Sequence, residues 1–220
     1  MITLVYFWNI KLIFLPIAIF HMAFDRFVLQ RNQEIKFFKL LGTGRGETFT
    51  PKDGDPTRWG LLIVIPKEKA PDFHNSSLIN SWRKFAKSEF HAVLQPISSH
   101  GSWSGQEPFS VDQIKDWEGP VAAITRARIK WNLNRVFWRA VPPVNIALKA
   151  APGLRSAIGI GEAPIGLQGT FSRWDSAEAI KTFAYKGAAH VQAIQSTKDL
   201  NWYAEELFAR FAILSEHGVL

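Results

Sequence analysis

Cysteine is absent from the chain. That excludes disulfides, thiolate ligation of a metal or prosthetic group, cysteine-bound iron–sulfur clusters and a cysteine nucleophile. A reduced cytoplasm fits this composition. Blocks of like charge are also missing. The 26 Lys and Arg against 19 Asp and Glu are scattered, although they leave a formal net charge of +7. Nucleic acid, anionic lipid, an acidic redox partner or a simple solvated basic surface could each account for that surplus. No helix-turn-helix, zinc-finger or RRM signature occurs, so no nucleic-acid partner is expected. HExxH, GxSxG and P-loop motifs are absent. Gly42-x-Gly44-x-Gly46 and Gly159-x-Gly161 depart from the dinucleotide-binding GxGxxG spacing and are expected in tight turns.

A long uninterrupted hydrophobic run is lacking as well. Lys11 is the only charge between Ile2 and Phe24, but the uncharged stretch Leu12–Phe24 falls short of the ~18–20 residues that span a bilayer. Pro16 interrupts it. No basic segment precedes it and no small-residue cleavage site follows. The pattern predicts a strand over Ile2–Trp8, then a buried or interfacial helix over 12–29. This helix has few polar groups to present to water, so peripheral contact with a membrane surface stands beside burial as an expectation.

Aromatics are plentiful, with nine Trp and 17 Phe. They suit a large core and also a pocket for a flat or extended apolar ligand. The chain of 220 residues has no internal linker of domain-separating length, so one compact domain is expected.

Internal similarity organises the rest. ITLVYFWNIK (Ile2–Lys11) answers VAAITRARIK (Val121–Lys130). Gly42-Thr43-Gly44 answers Gly159-Ile160-Gly161, each soon followed by Glu47 or Glu162. The strand opening at Gly60-Leu61 answers that at Gly166-Leu167. Ser77–Lys87 answers Ser176–Lys186 with helical spacing, and Phe90–Ile97 answers Phe208–Leu214. The separations at the two ends and at the glycines agree within two residues. Each half then reads β-α-β-β-α-β, an α+β, duplicated ferredoxin-like order whose sheets could enclose a barrel. The expected halves are 1–97 and 120–220. The Ser-, Gly- and Pro-rich stretch 98–119 is expected to be a linker loop.

Histidine is the main candidate for metal or proton chemistry in a chain without cysteine. His21 reads as a satisfied core or interfacial residue. His74 and His100 lie in polar loops and read as solvated, His91 sits on a strand, and His217 is near the C-terminus. None shows HExxH-type ligand spacing. His190 differs. It follows Gly187-Ala188-Ala189 and precedes Ala193 and Ile194, so small residues surround it on a helical face. A flat porphyrin could approach such a face closely. A helix-end histidine stabilised by the dipole is the alternative. Arg139, beside Trp138, could bind a propionate or polarise bound oxygen, or form an ordinary salt bridge. Gln168, inside GLQGTF, is a polar group that needs a partner if buried.

At this point the sequence resembles the spheroidene monooxygenase family. The matching runs are Trp138–Pro143 (WRAVPP), Ala151–Leu154 (APGL), Gly159–Pro164 (GIGEAP), Gly166–Ser172 (GLQGTFS), Phe183-Ala184-Tyr185, His190 and Trp202–Phe211 (WYAEELFARF). Looser matches are Gly42-Thr43-Gly44, Phe49-Thr50-Pro51 and Gly101–Gly105. The first helix is more apolar than the family pattern. The resemblance implies a haem-dependent monooxygenase of carotenoid biosynthesis that introduces a keto group into an acyclic carotenoid. It also implies kinship with dimeric α/β-barrel haem proteins, with His190 as iron ligand and a tendency to form homo-oligomers. On that reading Gly187, Trp138 and Ile194 flank the cofactor, Phe171 and Trp174 line the substrate pocket, and Arg139 and Gln168 supply polar catalytic groups. A ferredoxin-type protein is an expected electron donor. A cofactor-free oxygenase on the same scaffold, a non-enzymatic haem-binding protein and a membrane-recruitment module are the alternatives.

Overall fold

In a computed structural model the protein is an α+β molecule built on a closed antiparallel barrel of eight strands. The structure describes residues 1–48, 50–111, 117–162, 169–186 and 203–220. The chain runs β1 (Ile2–Ile10), α1 (Leu15–Arg31), β2 (Phe37–Gly44), β3 (Gly54–Ile65), α2 (Ala70–His74), α3 (Ser77–Arg83) and β4 (Ala86–Gly101). It continues through β5 (Val121–Ile129), α4 (Asn134–Lys149), β6 (Leu154–Gly161), β7 (Gly169–Trp174), α5 (Ala177–Lys186) and β8 (Tyr203–His217).

Around the barrel the order is β1-β3-β2-β6-β7-β5-β8-β4, so each set of four consecutive strands stays contiguous. Two seams join the sets. One is long: β4 pairs with β8 from His91 opposite His217 to Gly101 opposite Leu207. The other is short, with Gly42 opposite Gly161, Thr43 opposite Ile160 and Gly44 opposite Gly159. The two Gly-x-Gly segments, expected in turns, therefore lie within strands and pair with each other. Glycine in a strand interior lets another backbone come close, and these positions close the barrel. The stretch from Ser98 also differs from expectation, because β4 extends to Gly101, which bends away at φ +90°.

β1 is apolar on both faces because it is covered on both. Val5 and Phe7 point into the barrel, where they join Phe90, Ile124, Phe171 and Phe211. Ile2, Leu4, Tyr6 and Trp8 point outward and pack beneath the helices with Leu61, Ile63, Ile79 and Trp82. Trp8 and Trp82 stack with ring centroids 4.8 Å apart. α3 begins at a proper cap, with the Ser76 hydroxyl accepting from the Ile79 N–H at 3.4 Å.

Pro16 does not interrupt the first helix. It sits in the first turn of α1, where its missing N–H costs nothing and its fixed φ suits the start of a helix. With the 3-10 turn before it, the helical stretch Leu12–Arg31 runs 20 residues and contains an 18-residue window of mean hydropathy 1.8, long and apolar enough to cross a bilayer.

Candidate functional site

The outer faces of the two four-stranded sets carry very different side chains at matching places. On β1, Leu4, Tyr6 and Trp8 cover the sheet, opposite Ile63, Leu61 and Trp59 of β3. On β5 the same sheet positions hold Ala123 and Thr125, opposite Ser172 and Thr170 of β7, with Ala127 next along the strand. The intervening residues Ala122 and Ile124 face the barrel interior, which fixes the alternation. Ala157 and Gly159 of β6, alternating with the interior Ile158 and Ile160, extend the small surface. Replacing Leu, Tyr and Trp by Ala, Thr and Ala removes a layer of side-chain bulk. Ala123 is still buried, but Thr125 is exposed, so the helix layer does not close over it. Small side chains at these positions let a neighbouring group come close to the sheet.

The residues singled out from the sequence fall around this face to different extents. Trp174 turns outward beneath α5, its ring 5.5 Å from Phe183. Phe171 turns the other way, into the barrel, 5.4 Å from the Phe7 ring. The two therefore stand on opposite sides of β7 and do not line one wall. Trp138 is half-buried on α4, and Arg139 follows it on the same helix. His190, Gly187, Ile194 and Gln168 lie outside the described residues.

A charged rim, not anticipated from the sequence, closes one end of the barrel beside this sheet. Arg126 has the parity of the interior residues and is buried. It donates to Glu205 at 2.6 Å and to Glu162 at 3.2 Å, and its guanidinium lies over the Trp103 ring at 5.2 Å. Glu162 also accepts from Trp103 Nε1 at 2.6 Å and Lys39 Nζ at 2.7 Å. Burial pushes the Glu205 carboxyl up, but hydrogen bonds from the Gly105 and Ser104 amides and Arg126 outweigh it and hold the group at about 2. Glu162 is held below the usual range by Lys39 and Trp103 against the opposing effect of burial. Gly169, the neighbour of Gln168, pairs with Arg126 across β5–β7. The rim is thus a fixed ionic lock next to the segment carrying Gln168. Its signal in the sequence was Arg126, one of two Arg of inward parity in VAAITRARI, of which Arg128 is exposed near the strand end.

A second unanticipated cluster lies on the other set of strands. His74 is not solvated: its ring lies 4.5 Å from His91, which in turn stacks on His217 at 4.9 Å. His74, His91 and Glu89 form the one His-and-carboxylate group of metal-ligand dimensions found among the described residues. Its ligand atoms are already engaged. Arg83 donates to Glu89 at 2.9 Å and lies 2.9 Å from His74 Nε2, Trp8 Nε1 donates to Glu89 at 2.7 Å, and the Tyr6 hydroxyl meets His74 Nδ1 at 3.1 Å. A guanidinium in the middle of the group opposes a metal cation. The cluster instead ties α2 and α3 to β1 and β4. Burial lowers both His74 and His91, aided by nearby positive charge, and both favour the neutral form. His21, similarly, is paired with a carboxylate, meeting Asp25 at 3.1 Å one helical turn away.

No family model matches the chain. Individual relatives do. The spheroidene monooxygenase of Rhodobacter capsulatus is 36% identical over 208 residues, covering 93% of this chain and 86% of that protein. The spheroidene monooxygenase of Rubrivivax gelatinosus is 38% identical over 186 residues, covering 84% and 71%. That of Cereibacter sphaeroides is 37% identical over 187 residues, covering 83% of this chain but 57% of the longer relative. Among solved structures, an aldoxime dehydratase in complex with butyraldoxime superposes with a TM-score of 0.63 at 9% identity, over 99% of this chain and 82% of that one. A second aldoxime dehydratase gives 0.59 at 9% identity, over 96% and 80%. These two share the fold. The sequence relatives go further, at more than a third identity over most of the chain: it belongs to the spheroidene monooxygenase family and is an oxidoreductase of the monooxygenase class.

Proposed function

We propose that this monooxygenase introduces a keto group into an acyclic carotenoid, and that it does so with haem held on the outer face of the second sheet. We further read the two sets of four strands as duplicated ferredoxin-like halves, one keeping a filled helix–sheet interface and the other adapted to a cofactor. The observation that carries the proposal is the exchange of Leu4, Tyr6 and Trp8 for Ala123, Thr125 and Ala127 at matching positions. A planar apolar group fits a sheet face stripped of bulk. The first sheet, by contrast, fills the same positions with large side chains packed beneath its helices.

In this proposal His190 ligates the iron, and the small residue Gly187 together with Ile194 allows the ring to lie close. Neutral imidazole is the required form, with its second N–H donated to a fixed acceptor. Haem, when bound, would supply the chemistry by which one oxygen atom of O2 enters a C–H bond in each of two hydroxylations of one carbon, each drawing two electrons and two protons and releasing water, and the gem-diol then loses water to the ketone. The protein's contribution is placement and exclusion of water. Trp138 and Trp174 bound the apolar slot, and the barrel core behind Phe171 keeps the sheet rigid. Arg139 and Gln168 offer donors for a propionate or for oxygen. The Arg126 lock holds the rim next to Gln168 in place. The electrons come from a ferredoxin-type donor, and the protein works as a homo-oligomer.

Two measurements test this, one on purified protein and one in cells. The visible spectrum of the wild type should show a Soret band that His190→Ala removes or shifts. Cells making an acyclic carotenoid should accumulate its keto derivative with the wild type and not with His190→Ala. A keto product formed by protein without bound haem would transfer the chemistry to a cofactor-free oxygenase.

A further inference from the structure

Helix α1 is inside out for a protein surrounded by water. The side against the barrel carries Ala18, His21, Asp25 and Leu29, a stripe of which two members are polar. Asp25 is buried, accepting from Trp82 Nε1 at 2.8 Å and meeting His21 Nδ1 at 3.1 Å. The opposite side carries Ile13, Ile17, Phe20, Phe24 and Phe27, spaced four, three, four and three apart, which keeps them on one face. Their exposures run from 43% at Ile17 to 79% at Ile13. Phe20 and Phe24 stack at 5.5 Å and form a continuous apolar ridge. A water-exposed helix normally places its polar residues outward. An apolar face of this extent marks a contact surface.

We propose that this face docks the enzyme on an anionic membrane surface, with α1 lying flat in the interface. Charge selects that occupant over a second copy of the chain. Lys11, Arg26 and Arg31 lie in or beside the helix, whose one acidic residue is the buried Asp25. The whole chain carries +7. Two copies would bring like charges together, whereas an anionic leaflet attracts Lys and Arg near its surface. Length alone would let the helix cross a bilayer, but Ala18, Asp25 and Leu29 bind it to the barrel, and crossing would break the Asp25–Trp82 bond. Beside the ridge a cavity of about 340 Å³ opens between α1 and β2–β3. Ile19, Met22, Phe38, Leu40 and Trp59 line it, and its charged groups are Arg26, Lys39 and Glu162, of which the last two pair at 2.7 Å, so that Arg26 is left to face an anionic headgroup above an acyl chain. Docking through the α1 ridge does not require haem, although Glu162, at the rim beside the second sheet, also lines the cavity.

The test is sedimentation of the full-length protein with phosphatidylglycerol-containing vesicles and with pure phosphatidylcholine vesicles. Analytical ultracentrifugation of the same protein without lipid runs in parallel. The wild type should pellet with the anionic vesicles, and less so at high salt. Phe20→Ser/Phe24→Ser/Phe27→Ser should weaken binding by about tenfold or more while circular dichroism and melting temperature stay unchanged. Arg26→Gln/Arg31→Gln should lower anionic binding and leave the spectrum of bound chromophore unaltered. Equal failure to pellet with both vesicle types would overturn the proposal. So would a lipid-free dimer that the Phe triple variant splits into monomers without any vesicle binding.

Discussion

Tyr6 and Trp8 on one sheet, Thr125 and Ala127 on the other, mark the difference between the two halves of the barrel. The first face is closed by large stacked rings and by the Arg83–Glu89–His74 network beneath α2 and α3. The second keeps the same strand register but little of the bulk. On the proposed reading of two duplicated halves, one carries stability while the other gives up packing for a ligand. The polar networks follow this division. The histidine cluster ties helices to the first sheet, and the Arg126 lock sits at the rim of the second, where rigidity would serve the proposed site.

The largest expected effect of breaking the comparison is on stability. Trp8→Ala would give the first half the small residue that its counterpart has, and should cost about 3–5 kcal/mol by urea unfolding. Loss of under about 1 kcal/mol would mean the first face is not the structural one. Arg126→Met should cost nearly as much, about 3–5 kcal/mol, because Glu205 and Glu162 would be left without their shared cation. The carboxyl of Glu205, now at about 2, should titrate at a higher pH by NMR.

Acid should separate the halves in two steps. His74 and His91 have lowered values when folded, so they bind protons more readily in the unfolded chain. Stability is therefore lost as pH falls below their ordinary 6.5. His74→Gln/His91→Gln should remove that first step. Glu205 is held at about 2 against an ordinary 4.5, so its contribution is present above 4.5 and fades as pH falls toward 2. Glu205→Gln should remove only that second step. A single transition unchanged by either variant would break the assignment. The smallest effect belongs to Thr125→Ala, which should change stability by no more than about 0.5 kcal/mol because the side chain is exposed.

Much of this was legible in the sequence, at the level of strands. The match of ITLVYFWNIK to VAAITRARIK places β1 and β5 at equivalent positions and contains the Tyr6/Thr125 and Trp8/Ala127 exchanges. What it did not reveal was the outward parity of those residues, which depends on barrel closure. The His74–Glu89–His91 cluster escaped notice because its members come from α2 and β4 and meet only through the packing of α2 against the sheet. The inversion of α1 was hidden for a related reason. A helix apolar nearly all round has no periodic signal to show which side is buried, and only the partner of Asp25, Trp82, decides it. The glycine pairs read as turns because local propensity cannot register that two distant strands meet there. The His190 segment lies outside the described residues, so its part in the site rests on sequence.

One measurement bears most directly on the claim that the second sheet is the cofactor face. Thr125→Tyr/Ala127→Trp restores the bulk found on the first face, and its haem content per chain can be read from the Soret absorbance beside the wild type. The account predicts a normally folded protein by far-ultraviolet circular dichroism that has lost most of its haem. A folded double variant with the full wild-type Soret band would contradict it.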